Sequence, residues 1–313
     1  MEKFPKRQPP EASPEIKWDR KSGLVRIVGL EEDKEQEALA LGGFLFDQEQ
    51  EQKEGELEKT LEQRMVIDFI NQELPKFLER YGGQPLVISE DKVHILPEQY
   101  FGENVGGHYY AALQSIWFNA AKTKPNLAFA KGLVHELLHL NSFQSVEATT
   151  KEGRPKFVRP RREGFKLYKT GDKKEAHFKD ADEAIVEELT RRFCRETLKN
   201  LPVLQKDLGE VNEVEKIDLI RSIGDVAFIS FAEQGGQAKA VLHFYSYPEE
   251  RRHLQKLIAE LYEKNQPDFQ SEEEVFDLFA KAVLTGRLLP IARLVEKTYG
   301  KGSFRQLSEK IEK

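Results

Sequence analysis

The segment His135-Glu136-Leu137-Leu138-His139 constrains this chain more than any other stretch. Leu133, Val134, Leu137, Leu138 and Leu140 surround it, an apolar density that predicts a helix over residues 127–143 buried on most sides. On a helix, positions i and i+4 share a face, so His135 and His139 present their imidazoles to one point. Burying two histidines and a glutamate without partners is unfavourable, and a metal ion relieves that penalty. Zinc takes nitrogen and oxygen ligands tetrahedrally at about 2.0–2.2 Å, and a catalytic site keeps three protein ligands plus water. Glu136, one residue past the first histidine, can reach that water without being a ligand, as a general base must. The plain alternative is two core histidines with an accidental glutamate between them, and it predicts no metal.

Composition narrows the setting. The 313 residues suffice for one large core or two modest ones. The chain is 39% hydrophobic and 33% charged, which predicts a globular protein with a charge-rich surface. A net charge of -6 argues against a nucleic-acid partner. Cys194 is the single cysteine, so no intrachain disulfide forms, in keeping with a reducing compartment. The first 21 residues contain no apolar core of a signal peptide, and the chain has no run of about 18 apolar residues. The expectation is a cytoplasmic protein with no membrane partner, its oligomeric state left open by composition.

Taken in order, residues 1–20 are Pro-rich and charged, and 24–28 read as a short strand between glycines. The acidic, Gln-rich stretch that follows reads as a solvated linker. Leu57, Leu61, Met65 and Phe69 suggest a helix over 57–81, kinked or divided at Pro75. Residues 86–88 and 93–96 read as two short strands, with His94 a packed residue in the second. The loop 102–107 lacks the spacing of a phosphate cradle, and 108–119 reads as a strand or hairpin. A strand there, near 114–119, could offer a free edge to an extended peptide. Arg154, Arg159, Arg161 and Arg162 read as a solvated basic loop, and 164–168 as another strand.

The third ligand must come from elsewhere. The continuation H-E-x-x-H-x-x-G-x-x-H would supply a third histidine, but Ser142 and Ser145 occupy the two positions it needs. A carboxylate on a second helix is the other common solution, and 181–198 is the next strongly helical stretch. There Ile185, Val186, Leu189, Thr190, Phe193 and Cys194 form one low-charge face. Glu183 falls within it, Glu187 at its edge, and Glu188 opposite with Arg191, Arg192 and Arg195 as a solvated ion-pair residue. A carboxylate on the buried face wants a cation, which selects Glu183 as the metal ligand. Glu187 is then placed to orient a ligand histidine.

HELLH followed by Asp182-Glu183-Ala184-Ile185-Val186-Glu187 resembles the gluzincin clan of metallopeptidases. Thermolysin-like members carry H-E-x-x-H and then N-E-x-x-x-D on a following helix, where the glutamate binds zinc and the aspartate steadies a histidine. Asp182 stands here for the asparagine and Glu187 for the aspartate. The longer separation between His139 and Glu183 implies an inserted hairpin and a distant relationship, and the short chain is more similar to the compact minigluzincins. The resemblance covers about residues 100–200 and implies a zincin-like α+β fold: a small mixed sheet with a substrate edge strand, an active-site helix and a glutamate helix.

Residues 214–229, 249–262, 273–284 and 288–299 have helical spacing, so the last third reads as mainly helical. His243 and Tyr247 are open either as packing residues or, as the resemblance to gluzincins implies, as groups that stabilise an oxyanion. Gly300 to Ser303 reads as a turn. The expected organisation is a flexible acidic segment over 1–56, a metal-binding catalytic core over 57–200 and a helical subdomain over 201–313. The expected activity is hydrolysis of a peptide or protein substrate with one Zn²⁺ per chain, held by His135, His139 and Glu183, with Glu136 as general base. The alternative is a non-catalytic zinc-binding sensor or scaffold that recognises a partner protein.

Overall fold

The computed structural model describes residues 25–28, 55–83, 85–103, 105–110, 115–151, 154–168, 176–218 and 225–310. Most of the expected N-terminal segment, 1–56, lies outside the described residues. The described elements form a mixed α+β fold with three small sheets.

Helix α1 (Leu61–Glu79) begins four residues later than the leucine spacing suggests. Thr60 caps it with a reciprocal pair: its Oγ1 accepts from Gln63 N at 3.2 Å, and its own N donates to Gln63 Oε1 at 2.9 Å. The buried face is Val66, Ile67, Ile70, Leu74, Phe77 and Leu78, while Leu57, Leu61 and Met65 are exposed. A row spaced strictly by four drifts around the axis, whereas alternating steps of three and four keep one face inward. Pro75 neither divides the helix nor ends it; Leu74, Phe77 and Leu78 anchor both of its flanks in the core.

Strands β2 (Val93–Leu96), β3 (Gly107–Tyr110) and β4 (Ser115–Asn119) form one sheet in the order β2-β4-β3. β4 is bonded on both sides, parallel to β2 and antiparallel to β3, and is buried throughout. The stretch expected to offer a free edge is therefore the middle strand, and the outer positions fall to β2 and β3. Residues 86–88 form no strand. Asn141 Oδ1 takes the Leu86 N–H at 2.6 Å and Asn71 Oδ1 takes the Ile88 N–H at 3.1 Å, so side chains satisfy that backbone in place of a ladder.

Helix α2 (Asn126–Leu140) carries HELLH, and its C-terminal turn closes where Ser142 Oγ donates to Leu138 O at 2.8 Å. A second sheet follows: β5 (Gln144–Lys151), β6 (Arg154–Glu163), β7 (Lys166–Tyr168) and β8 (Ala176–His177), with β1 (Val25–Val28) parallel to β5 at its edge. β5 and β6 form an antiparallel hairpin between α2 and α3 (Lys179–Thr197). Arg162 in β6 is buried, not solvated. It donates to Gly164 O, Ala282 O and Gly286 O at 2.7, 2.8 and 2.5 Å, fastening the sheet to the end of a later helix.

Beyond α3 the chain is less helical than its spacing suggests. Helix α4 (Gln205–Glu215) is followed by the antiparallel hairpin β9 (Val226–Gln234) and β10 (Gln237–Phe244). Thus 226–229, expected as the end of a helix, begins a strand. Val226, Ala227 and Ile229 are buried, and a short apolar run of that kind suits a strand as well as a helix. Helices α5 (Pro248–Lys264), α6 (Glu272–Thr285), α7 (Leu289–Tyr299) and α8 (Ser303–Lys310) complete the chain.

Buried side chains from Val66 in α1 to Val295 in α7 form one hydrophobic cluster that includes Leu133 and Leu137 of α2 and Ile185 and Phe193 of α3. Each such side chain contributes about 1.5–3 kcal/mol on burial. α5 and α6 cover the face of α3 that the sequence assigns to solvent. Glu188 is consequently buried. It meets Arg191 Nη2 at 2.7 Å, Arg192 Nε at 3.0 Å and Arg251 Nη2 at 3.3 Å. Burial alone would raise the Glu188 pKa, but these guanidiniums outweigh it and hold the carboxyl below its ordinary value.

Candidate metal centre

α2 and α3 pack against each other and bring two histidines to one carboxylate. His135 Nε2 and His139 Nε2 are 3.2 Å apart. Glu183 Oε2 lies 3.6 Å from the first and 3.4 Å from the second. A tetrahedral metal with bonds of about 2.0–2.1 Å needs ligand atoms about 3.3–3.4 Å apart. The triangle fits a zinc-sized ion at its centre. These residues form a group able to hold a metal ion, and no other such group of three occurs among the described residues.

The partner of the His135 ring points its lone pair inward. His135 Nδ1 is 2.7 Å from Glu187 Oε2. A carboxylate only accepts, so Nδ1 carries the proton and, in the neutral ring, Nε2 offers its lone pair to the triangle. His139 Nδ1 faces Asp182 Oδ2 at 4.0 Å. With both Nε2 atoms and a carboxylate oxygen converging, three electron-rich groups face one another and need a cation between them. Without a metal, a proton takes that part. Burial opposes charge on His135, but Glu183 and Glu187 outweigh it and push its pKa up to about 10. Burial would raise the pKa of Glu183, yet His135, His139 and Lys166 hold it far below the usual carboxylate range.

Glu187 is wholly buried and holds three elements together. Besides His135, its Oε1 accepts from Lys131 Nζ at 2.9 Å and from Ser246 N at 2.6 Å. Lys131 Nζ also reaches Ser246 Oγ at 2.9 Å. The loop after β10 is thereby pinned to the metal helix. The next residue, Tyr247, sits at φ 55°, a left-handed conformation uncommon outside glycine. Its ring stacks on His135 at 6.3 Å and 17°. Burial, and the Glu183 carboxylate beside its hydroxyl, push the Tyr247 pKa above its ordinary value. His243 stacks instead on Phe228 at 4.2 Å and meets Ser230 Oγ at 2.7 Å, within the hairpin. His94 pairs with Glu56 Oε1 at 2.8 Å and takes no part in the triangle.

Glu136 is half-buried beside His135, and its carboxylate forms no hydrogen bond or ion pair with a described residue. Opposite it, Asp182 is buried and joins α3 to the second sheet: Oδ1 accepts from Phe165 N at 2.6 Å, and Oδ2 lies 3.5 Å from Lys166 Nζ. Gly164 makes this approach possible. It sits at φ +53°, and a Cβ there would collide with Asp182 Oδ1. Gly164→Ala is expected to lower stability by about 2–3 kcal/mol, through left-handed strain and the displaced hydrogen bond. A denaturant midpoint equal to that of the parent would contradict this.

Lys131, Lys166 and Ser246 have no role in the sequence reading, and Asp182 enters it only as the counterpart of the motif's asparagine. Lys131 stands four residues before His135, on the same helix face, and that spacing could have revealed it. Lys166 and Ser246 reach the site only through tertiary packing. Comparison of the chain with protein-family models, with curated proteins and with solved structures yields no match. Among the described residues, no helix is long and apolar enough to cross a membrane.

Proposed function

We infer that the chain is a zinc-dependent peptidase of the gluzincin type, built on a zincin-like core with one Zn²⁺ per chain. The observation that carries this reading is the triangle of His135 Nε2, His139 Nε2 and Glu183 Oε2, with edges of 3.2, 3.4 and 3.6 Å. Zinc suits this imidazole and carboxylate set. When bound, it supplies Lewis acidity toward a carbonyl oxygen and eases deprotonation of water. Glu136 takes the proton as water attacks the peptide carbonyl carbon, then passes it to the leaving amine nitrogen as the C–N bond breaks. Glu187 keeps His135 in the Nδ1-protonated form, and Lys131 keeps Glu187 ionised. The substrate is a peptide or protein segment in extended form. The outer edge of β3 is the strand position suited to it: β4 is paired on both sides, β2 already accepts the Leu57 N–H at Ile95 O, and β3 packs against α2.

The test is metal content beside turnover. The purified chain is expected to carry about one zinc, lost in His139→Ala, and to cleave members of an unstructured peptide library. No zinc bound or taken up would overturn the reading entirely. Zinc bound without cleavage would replace the peptidase with a sensor or scaffold that recognises a partner protein.

A further inference from the structure

The two oxygens of Glu183 have different neighbours. Oε2 faces the histidine nitrogens, whereas Oε1 lies 3.2 Å from Lys166 Nζ. Lys166 arrives from β7, in the other sheet, and its side chain is only 14% exposed. The ammonium also stands 3.5 Å from Asp182 Oδ2, so it bridges two consecutive carboxylates of α3. Asp182 is fixed in turn by the Phe165 N–H, next to Lys166 in the chain. The lysine therefore has little freedom to leave.

An ammonium beside a metal ligand repels the metal, so this arrangement weakens binding. The compensation lies in coordination. A carboxylate with both oxygens free can bind a metal through both, and the second oxygen then adds a fifth donor that crowds the position a catalytic site leaves to water. A cation that occupies Oε1 leaves only Oε2 for the metal.

We propose that Lys166 is a positioning residue that restricts Glu183 to one-oxygen ligation and so keeps the site four-coordinate, with its fourth position open to water. This rests on the metal site of the preceding reading. Three consequences of removing the ammonium act in the same direction: the repulsion disappears, Glu183 gains a second ligating oxygen, and the metal-free carboxylates lose their counter-charge. Lys166→Met therefore binds zinc more tightly, by about tenfold, the lower end of what outer groups around a metal contribute. A role in packing alone would weaken binding instead.

The experiment loads wild type, Lys166→Met and Lys166→Arg with zinc in a competition titration against a chromophoric chelator, and separately with Co²⁺. Four-coordinate Co²⁺ absorbs visible light more strongly than higher-coordinate Co²⁺. Wild type and Lys166→Arg are expected to give the intense spectrum, and Lys166→Met the weaker one together with tighter zinc. Lys166→Gln, too short to replace the ammonium, reads the same way if Lys166→Met fails to fold. An unchanged spectrum or equal or weaker zinc affinity in the folded variant would overturn the proposal while leaving the metal site standing. A wild type that takes up neither metal would overturn the site itself.

Discussion

Glu136→Gln is expected to leave one zinc bound per chain and to lower peptide hydrolysis by about 10²–10⁴-fold, the range of positioned proton transfer. Glutamine keeps the shape of glutamate but cannot accept a proton at neutral pH. The separation of effects follows from where the side chain sits. The group able to hold the metal is His135, His139 and Glu183. The Glu136 carboxylate belongs to no hydrogen bond or ion pair among the described residues, so its replacement breaks no side-chain contact that holds those three. His139→Ala removes metal and activity together, whereas Glu136→Gln removes activity alone. Metal analysis and turnover on one protein batch check this. Full hydrolysis by Glu136→Gln would assign the proton transfer to another group, and loss of zinc would give Glu136 a structural part that its geometry does not suggest.

What the sequence makes legible here is local. Two histidines at i and i+4 need only helical geometry to share a face, and His135 and His139 do so at 3.2 Å. The same geometry sets Glu183 and Glu187 one turn apart on α3, facing α2. The failures begin where a partner lies far along the chain. Glu188 reads as solvated because its near neighbours are arginines, but Arg251, 63 residues on, closes the face above it. A carboxylate with several guanidiniums around it can be buried, and no helical period reports how many will arrive. β4 reads as a possible edge because alternation shows that a strand exists, not how many neighbours it acquires. Residues 226–229 begin a strand and do not end a helix, because a short apolar run fits either until the hairpin partner is known. Lys166 sits in a five-residue apolar-polar stretch like any surface strand. Its role depends on the second sheet folding back onto α3, which is a property of topology.

Removing zinc is expected to lower the thermal midpoint by about 4–6 °C, because a ligand at 100–1,000 times its dissociation constant stabilises by about 2.7–4.1 kcal/mol and a chain of 313 residues, with an unfolding entropy of about 2.1 cal/mol/K per residue, responds by about 1.5 °C per kcal/mol. The size of the effect depends on the triangle being assembled only in the folded chain. His135 and Glu183 are 48 positions apart and come from different helices, so the unfolded chain has no comparable site. Global unfolding is not expected on chelation. The α2–α3 contact is backed by the apolar cluster of Val134, Leu137, Leu138, Ile185 and Leu189, and Glu187 continues to join His135, Lys131 and Ser246. The chelated protein should therefore melt cooperatively, at a lower temperature and with its secondary structure intact beforehand. His139→Ala supplies the control: its midpoint should not respond to chelator, since with one corner of the triangle gone the remaining pair retains little affinity for the ion. Calorimetry with and without chelator on both proteins checks the prediction. Equal midpoints for the parent protein in the two conditions would mean that HELLH is held together by its proton and its carboxylates alone, and the peptidase reading would fall with the metal.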